Sequence, residues 1–191
     1  MAKPEYVSHV EEIAADWQRE RPDIDLDRFL LAIYVQRLGR IIFQDFERLC
    51  QTEYRMRSSD VRVLLALRRR GPPYAQRPTD LFRALLITSG AVTKQVDRLV
   101  SRKLVVRLPD PDYRKGFLVQ LTDRGRRFVD GVAGTIADGT AIAPEMSALA
   151  PAEIRSAARF CYRALKLLES NRLPPESKRS PGKRRKAAAQ A

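Results

Sequence analysis

The chain has 191 residues, a formal net charge of +13 and a hydrophobic fraction of 44 %. That length fits one domain with appendages, and the apolar fraction is enough for a buried core. No apolar run approaches the roughly 18 residues of a membrane span, and the N-terminus lacks a charged-then-apolar signal, so we expect a cytoplasmic protein that does not enter a membrane.

The N-terminal third predicts three helices. A short helix over Val7–Gln18 is broken at Pro22, and a long helix follows from about Asp25 to about Glu53. The apolar stripe of this long helix is wider than one neighbour needs. It contains Leu26, Phe29, Leu30, Ile33, Tyr34, Leu38, Ile41, Ile42, Phe46 and Leu49. A third helix is predicted to begin at a Ser58-Ser59 cap and to end at Gly71-Pro72-Pro73.

The central segment predicts two further helices and a hairpin. One helix begins near Pro78-Thr79, and Thr88-Ser89-Gly90 forms the turn and cap of the next. That second helix places Val92, Val96, Leu99 and Val100 inward, and its other face carries Thr93, Lys94, Gln95 and Arg98. Residues 104–108 and 117–121 read as strands around the tip "PDPDYRKG". This order is that of a winged helix-turn-helix.

The C-terminal part predicts two helices and a tail. Thr122-Asp123 caps a helix that runs to about Ala143, and Pro151 opens the last helix. One face of that last helix carries Ile154, Ala157, Ala158, Cys161, Leu165 and Leu168. The tail, 171–191, has seven basic residues, one acid, three prolines and few apolar residues, so we expect it to be disordered. It either solvates the chain or adds phosphate contacts.

The two cysteines, Cys50 and Cys161, lie far apart in sequence and do not make a disulfide framework. With the single His9 they cannot fill a four-ligand zinc site, and we expect neither a metal nor another cofactor. We interpret both cysteines as small core hydrophobes. The alternative is a redox-sensing thiol, which needs an exposed cysteine with a lowered pKa.

The second central helix has the side chains that DNA reading requires. A helix that enters the major groove presents short polar side chains at its N-terminal turn, and Thr88, Ser89, Thr93, Lys94 and Gln95 fit that need. Gly90 would let the backbone approach closely, while Gln95 can pair with adenine and Lys94 with guanine. Arg98 shares the same polar face. The alternative is an ordinary amphipathic surface helix.

The hairpin tip supplies a second candidate contact. An arginine at a wing tip, here Arg114 with Lys115 beside it, can enter the minor groove, where the potential is most negative. Asp112 precedes Arg114 by two residues and could hold its guanidinium by a charge-assisted hydrogen bond. The alternative is a polar hairpin turn, which Asp and Gly favour.

The segments "TDLFRALLITSGAVTKQVDRL" and "KLVVRLPDPDYRKGFLVQLTDRGR" resemble the MarR family of bacterial transcription regulators. The matching features are the Thr88–Ala91 start, Asp97-Arg98-Leu99, Asp112-x-Arg114 and Leu121-Thr122-x-x-Gly125. The resemblance implies a homodimer made by the first and last helices, with a ligand pocket whose occupation releases the operator. The family often has Asn-Arg where this chain has Lys94-Gln95, which leaves the operator sequence open.

Trp17 is the only tryptophan, and we interpret it as a dimer-interface aromatic. The alternative follows from a resemblance to urate-responsive relatives, which use a tryptophan of the first helix, an aspartate and an arginine. Trp17 and Asp60 match the first two, whereas Gln95 stands at the third. The resemblance thus implies a small aromatic or anionic ligand near Trp17 and Asp60.

Together these features predict a mainly α fold with a small β-hairpin wing, a winged helix-turn-helix with flanking dimerisation helices. The expected segments are dimerisation helices at 1–55 and 123–170, a DNA-binding region at 56–122 and the tail at 171–191. The predicted function is a ligand-responsive dimeric repressor on a near-palindromic operator in double-stranded DNA, because a basic chain around such a module binds duplex DNA. The alternative is a nucleoid-type architectural DNA binder. We expect no enzyme, since the sequence lacks a nucleophile–base pair and a phosphate loop.

Overall fold

The computed structural model of this protein describes residues 9–114, 116–138 and 141–172, with side chains described through residue 170. The chain forms two compact units that divide after Glu145. In the described residues, no helix is both long enough and apolar enough to span a membrane. Lys115 and the basic tail beyond residue 172 lie outside the described residues, as do the first residues of the predicted N-terminal helix.

The first two helices form as predicted, with small shifts at their ends. Helix α1 spans His9–Glu20 and helix α2 spans Leu26–Tyr54. The Asp25 side chain caps α2 by accepting a hydrogen bond from the backbone N–H of Arg28 at 3.3 Å. The two helices pack through Trp17 and Phe29, whose ring centroids are 4.7 Å apart in an edge-to-face arrangement.

The winged helix-turn-helix is confirmed. Helices α3 (Ser58–Arg68), α4 (Pro78–Leu85) and α5 (Ser89–Ser101) are followed by strands β2 (Val105–Pro109) and β3 (Phe117–Leu121). A two-residue strand β1, Ala75–Gln76, was not predicted because its only signal is its pairing with β3. The sheet is antiparallel in the order β1-β3-β2, and Val105 faces Leu121 in the β2–β3 register.

One core holds this body together, and α3 contributes most to it. Val61, Val63, Leu64 and Leu67 of α3 are all fully buried. They pack with buried residues of the neighbouring helices and strands, which include Leu81, Val92, Val96, Leu99, Val119, Val129 and Val132. The packing of these apolar side chains therefore holds α5 against α3 without help from polar contacts.

Helix α6, Asp123–Ala137, closes the body and is shorter than predicted. The Thr122 hydroxyl caps it by accepting from the Gly125 N–H at 2.9 Å. A side chain at position 125 would meet the Leu104 carbonyl oxygen at 1.9 Å, so only glycine fits there. The prediction that this helix reaches Ala143 is wrong. Pro144 disfavours a helical residue before it, and a short 3₁₀ helix starts there instead, Pro144–Ala148.

The predicted Ser58-Ser59 cap is also wrong. Arg57 is the residue before α3, and Ser58 is the first residue of the helix. Ser58 donates its hydroxyl to the Glu47 carboxylate, which also accepts from the Ser58 N–H at 3.3 Å. This hydrogen bond lowers the pKa of Glu47 below its usual value. The serine therefore ties α2 to α3 instead of capping its own helix.

The two cysteines differ. Cys50 is fully buried, as predicted, and burial raises the pKa of its thiol to about 12, which excludes a reactive thiolate at neutral pH. The prediction that Cys161 is a core residue is wrong, because it is exposed. It lies on α7, Pro151–Arg172, which also exposes Phe160, Tyr162, Leu165, Leu167 and Leu168.

Candidate nucleic-acid interface

The N-terminal end of α5 is open and polar. The Thr88 hydroxyl caps the helix by accepting from the Ala91 N–H at 3.3 Å, and Thr88, Ser89 and Gly90 are all exposed. Thr93 and Lys94 are exposed one turn further on. A side chain added at Gly90 would meet no atom within 4 Å. This end of the helix thus presents small polar groups and the partial positive charge of a helix N-terminus.

The structure contradicts the placement of Gln95 on the outer face. Gln95 is 7 % exposed and lies in the same buried stripe as Val92, Val96 and Leu99. These positions follow the i, i+3, i+4, i+7 spacing of one helix face, so helical geometry overrides the polarity of the side chain. Its Oε1 atom is buried and has no hydrogen-bond partner among the described residues. An adenine contact by Gln95 has no support in this conformation.

Arg98 is also not free on the outer face. Its Nε and Nη2 atoms donate to the two carboxylate oxygens of Asp60 at 2.8 and 2.6 Å. The Asp60 side chain is only 5 % exposed, so the pair joins α5 to α3 at the edge of the core. This bond raises the pKa of Arg98. This pair of parallel hydrogen bonds holds α5, the recognition helix of the helix-turn-helix, in a fixed position against α3.

The wing is held near its tip by an arginine that the sequence did not single out. Arg77, just before α4, donates from Nε and Nη2 to Asp110 at the start of the wing tip, the second contact being 3.0 Å. The Asp110 side chain is 1 % exposed, and it also accepts from the Asp112 N–H at 2.9 Å. Arg77 lowers the pKa of Asp110. Because 33 residues separate these partners, no local pattern could have revealed them.

The predicted pairing of Asp112 with Arg114 is wrong. Asp112 instead accepts from Arg77 Nη2 at 3.1 Å, because Arg77 is already drawn to the neighbouring Asp110. Arg114 is exposed at the tip, and none of the hydrogen bonds or ion pairs found among the described residues involves its side chain. The geometry therefore leaves Arg114 available to a ligand outside the chain. Lys115, its neighbour, is outside the described residues.

The two ligand-binding candidates do not come together. Trp17 packs on Phe29 and remains 37 % exposed. Asp60 is engaged with Arg98, and the cavity that Asp60 lines does not include Trp17. No cluster of three or more potential metal ligands occurs among the described residues.

Comparison with known proteins identifies the body that carries this interface. A sequence profile of the MarR family matches residues 56–116, which run from the start of α3 to the wing. The chain is 31 % identical over 123 residues to the HTH-type transcriptional regulator PecS of Dickeya dadantii, covering 64 % of this chain and 74 % of PecS.

Solved structures show the same fold. The structure of Bordetella bronchiseptica BpsR, described for the regulation of its DNA binding by 6-hydroxynicotinic acid, is 28 % identical with a TM-score of 0.56, covering 71 % of this chain and 91 % of BpsR. A mutant of MarR from Escherichia coli complexed with operator DNA is 20 % identical with a TM-score of 0.58, covering 78 % and 97 %. The likeness to regulators favours that function over a nucleoid-type architectural protein.

Proposed function

The chain belongs to the MarR family of transcription regulators, and from this we propose that it is a dimeric repressor that binds a near-palindromic operator and releases it when a small ligand binds. The observation that carries the proposal is the open N-terminal end of α5, which a fixed C-terminal half and an anchored wing support. A DNA-reading site needs this combination, because the reading atoms must be free while the elements that carry them stay fixed.

The DNA contacts that we propose lie on these two elements. Thr88, Ser89, Gly90, Thr93 and Lys94 enter the major groove, and Lys94 is the base-reading candidate that the exposed face retains. Arg114 and Lys115 follow the wing into the minor groove. Asp112 acts through its bond to Arg77 instead of touching DNA. Arg98 and Gln95 position the helix from behind.

The proposed dimer rests on apolar surface that is open in the single chain. Helix α2 exposes Leu31, Val35, Leu38, Ile41 and Phe43, and α7 exposes Leu165 and Leu167. So much exposed apolar surface on two helices marks an association site. Two-fold symmetry then requires half-sites whose centres lie about 10 base pairs apart, or a multiple of that. Segments 1–55 and 123–170 would supply the dimer, and 56–122 would bind DNA.

The ligand response is proposed by analogy with BpsR, whose DNA binding 6-hydroxynicotinic acid regulates. A small aromatic or anionic ligand that prefers the DNA-free form would shift the population away from operator binding. Linkage requires operator and ligand to weaken each other's affinity by the same factor. Titrating 6-hydroxynicotinic acid against Trp17 fluorescence, with and without operator, measures both sides. An equal ligand affinity in both titrations would refute the response.

The proposed role involves no catalysis, and we place it in the cytoplasm, where a bacterial operator is found. The basic tail at 171–191 would add non-specific phosphate contacts. Deleting it should flatten the salt dependence of DNA binding by about 0.9 in log–log slope for each lost contact. An unchanged slope would mean that the tail only solvates the chain.

A glycine pair tests the DNA interface directly. Gly90→Leu adds a bulky side chain where it meets nothing in the chain, so folding should be retained while the close approach to DNA is blocked. We expect operator affinity to fall by at least about tenfold in a fluorescence anisotropy assay. Gly131→Leu on α6 is the matched control, since a side chain there also meets no atom within 4 Å, and sedimentation of this variant checks that it dimerises as the parent does. Equal operator affinities of the two variants would refute the interface.

A further inference from the structure

An open surface pocket of about 410 Å³, here called the arginine cavity, lies where the end of α2, the start of α3 and the end of α5 meet. This volume lies within the roughly 300–1,000 Å³ of small-molecule sites. Its walls carry four guanidinium groups and one carboxylate, with a buried methionine among the lining residues. These residues are Arg55, Arg57, Arg98, Arg102, Asp60 and Met56.

The charges in this arginine cavity do not balance. Arg98 and Asp60 neutralise each other through their two hydrogen bonds. Arg55 and Arg102 then have no carboxylate partner among the ion pairs of the described residues, and Arg57 has no ion pair either, although its charge, after the Ser58 hydrogen bond, also lowers the pKa of Glu47. Three like charges at one cavity repel each other, and an anion that contacts all of them relieves that repulsion.

Two features of the backbone bring these arginines together. Arg102 Nη2 donates to the Arg55 carbonyl oxygen at 2.8 Å, which joins the end of α5 to the end of α2. Arg55 has a left-handed backbone with φ of 49°, at a helix end where glycine is the usual residue. That conformation is strained for a non-glycine residue. The chain thus has an arginine at a position whose backbone conformation favours glycine.

The cavity lies away from the end of the recognition helix that reads DNA. Ser89 and Arg102 are 13 residues apart, which is about 20 Å along the helix axis. An anion at Arg102 would therefore lie well away from the bases that the N-terminal turn of α5 contacts, and the operator experiment below distinguishes it from a DNA phosphate. Because Arg98 lies in α5 and Arg102 is the residue that caps its C-terminal end, a ligand bound here contacts the recognition helix α5 directly.

We propose that this cavity is an effector site for a small, multiply charged oxyanion that bridges Arg55, Arg57 and Arg102. Guanidinium groups recognise both phosphate and carboxylate oxygens by paired charge-assisted hydrogen bonds, so a phosphorylated compound and a polycarboxylate share the required chemistry. A singly charged aromatic acid would leave two guanidinium groups unpaired. The proposal rests on the proposed function, and it replaces the singly charged aromatic acid suggested by BpsR with a multiply charged effector at a defined site.

Calorimetry and melting of the full chain test the site with pyrophosphate, citrate and benzoate at equal ionic strength. We expect saturable binding and a raised melting temperature with pyrophosphate or citrate, and weaker binding of benzoate. Whichever of the two multiply charged probes binds more tightly identifies the phosphate or the carboxylate source. Equal responses to all three probes, with no saturation, would mean that only ionic strength matters and would overturn the proposal.

Arg102→Gln and Arg55→Gln should each weaken that binding by at least about tenfold, as the loss of one charge-assisted contact predicts. Arg127→Gln, an exposed arginine of α6, is the matched control and should bind as the parent does. Equal anion affinities of Arg102→Gln and Arg127→Gln would overturn the site. Circular dichroism of each variant checks that it is folded.

Operator binding separates this proposal from the proposed function. Without added anion, Arg102→Gln should bind operator as the parent does. Uniformly weaker binding to all DNA sequences would instead assign Arg102 to a DNA phosphate and overturn the site. With pyrophosphate, operator affinity should change in the parent and not in Arg102→Gln. Failure of the parent to bind any operator would refute the proposed function and leave the calorimetric result standing.

Discussion

Leu64 and Leu38 are the same residue type on two neighbouring helices, and their surroundings are opposite. Leu64 of α3 is fully buried among α5, α6 and the sheet, whereas Leu38 of α2 is 44 % exposed. The polar residues show the same contrast, since Asp110 at the start of the wing tip pairs with Arg77, whereas Arg114 at the tip has no partner among the described residues. The difference separates what the chain supplies for itself from what it leaves for DNA or a second copy.

Truncation of a buried leucine should give the largest effect. Leu64→Ala removes apolar atoms and leaves a cavity in the core, so the free energy of unfolding should fall by about 2–5 kcal/mol. Urea denaturation monitored by circular dichroism measures the change. Leu86→Ala is a matched control, because Leu86 is 68 % exposed and should cost far less. Equal losses in both variants would mean that burial does not set the difference between these leucines.

The exposed leucine should act on assembly instead. Leu38→Glu places a charge on the apolar face of α2, and a two-fold dimer would bury that charge twice. We expect the dimer dissociation constant to rise by at least about a hundredfold, measured by sedimentation at micromolar concentration. Val106→Glu, on an exposed position of β2, is the matched control and should remain dimeric. A Leu38→Glu variant that stays dimeric would exclude this face of α2 from the interface.

The elements with partners close in sequence are the ones that sequence reasoning predicted well. The Thr88 and Thr122 caps, the proline at the start of α4 and the alternating strands are local signals, and each appears as expected. The spacing of apolar residues also predicted the buried stripe of α5, and only Gln95 was misplaced, because its side chain is polar. The end of α6 required weighing Pro144 against a continuing apolar pattern.

Partners distant in sequence could not be predicted. Arg77 and Asp110 are separated by 33 residues, and Arg98 and Asp60 by 38. From the sequence, the tip that contains Asp110 could be read as a polar hairpin turn, and Asp60 as a ligand contact. The arginine cavity has the same origin, since α2, α3 and α5 meet there only after folding. The sequence thus predicted the recognition helix α5 as an element, whereas the ion pairs that hold it in place are visible only in the folded structure.

A pair of arginine variants sharpens the contrast within the wing. Arg114→Ala should weaken operator binding by about tenfold with little change in melting temperature, because the side chain is exposed. Arg77→Ala should weaken binding similarly and also lower the melting temperature, since it leaves the buried Asp110 carboxylate without its cation. The double variant should lose less than the sum of both, because a misplaced wing gains little from Arg114. Additive losses would mean that Arg77 does not act through the wing.

The smallest expected effect is on the stability of the fold at acidic pH. Arg77 lowers the pKa of Asp110 below its usual 3.8, so this carboxylate stabilises the fold above that pH. Its contribution is lost as pH falls through the lowered pKa, because the folded state must then bind a proton that the unfolded state already holds. In melting curves from pH 6 to pH 2, Asp110→Asn should therefore differ most from the parent above pH 4, and the two curves should converge in acid. Arg77→Ala should show the same convergence, since either change removes the charge pair. If the difference between parent and Asp110→Asn stayed constant across this range, Asp110 would act as a hydrogen-bond acceptor whose charge is irrelevant, and the charge of the Arg77–Asp110 pair would not stabilise the wing.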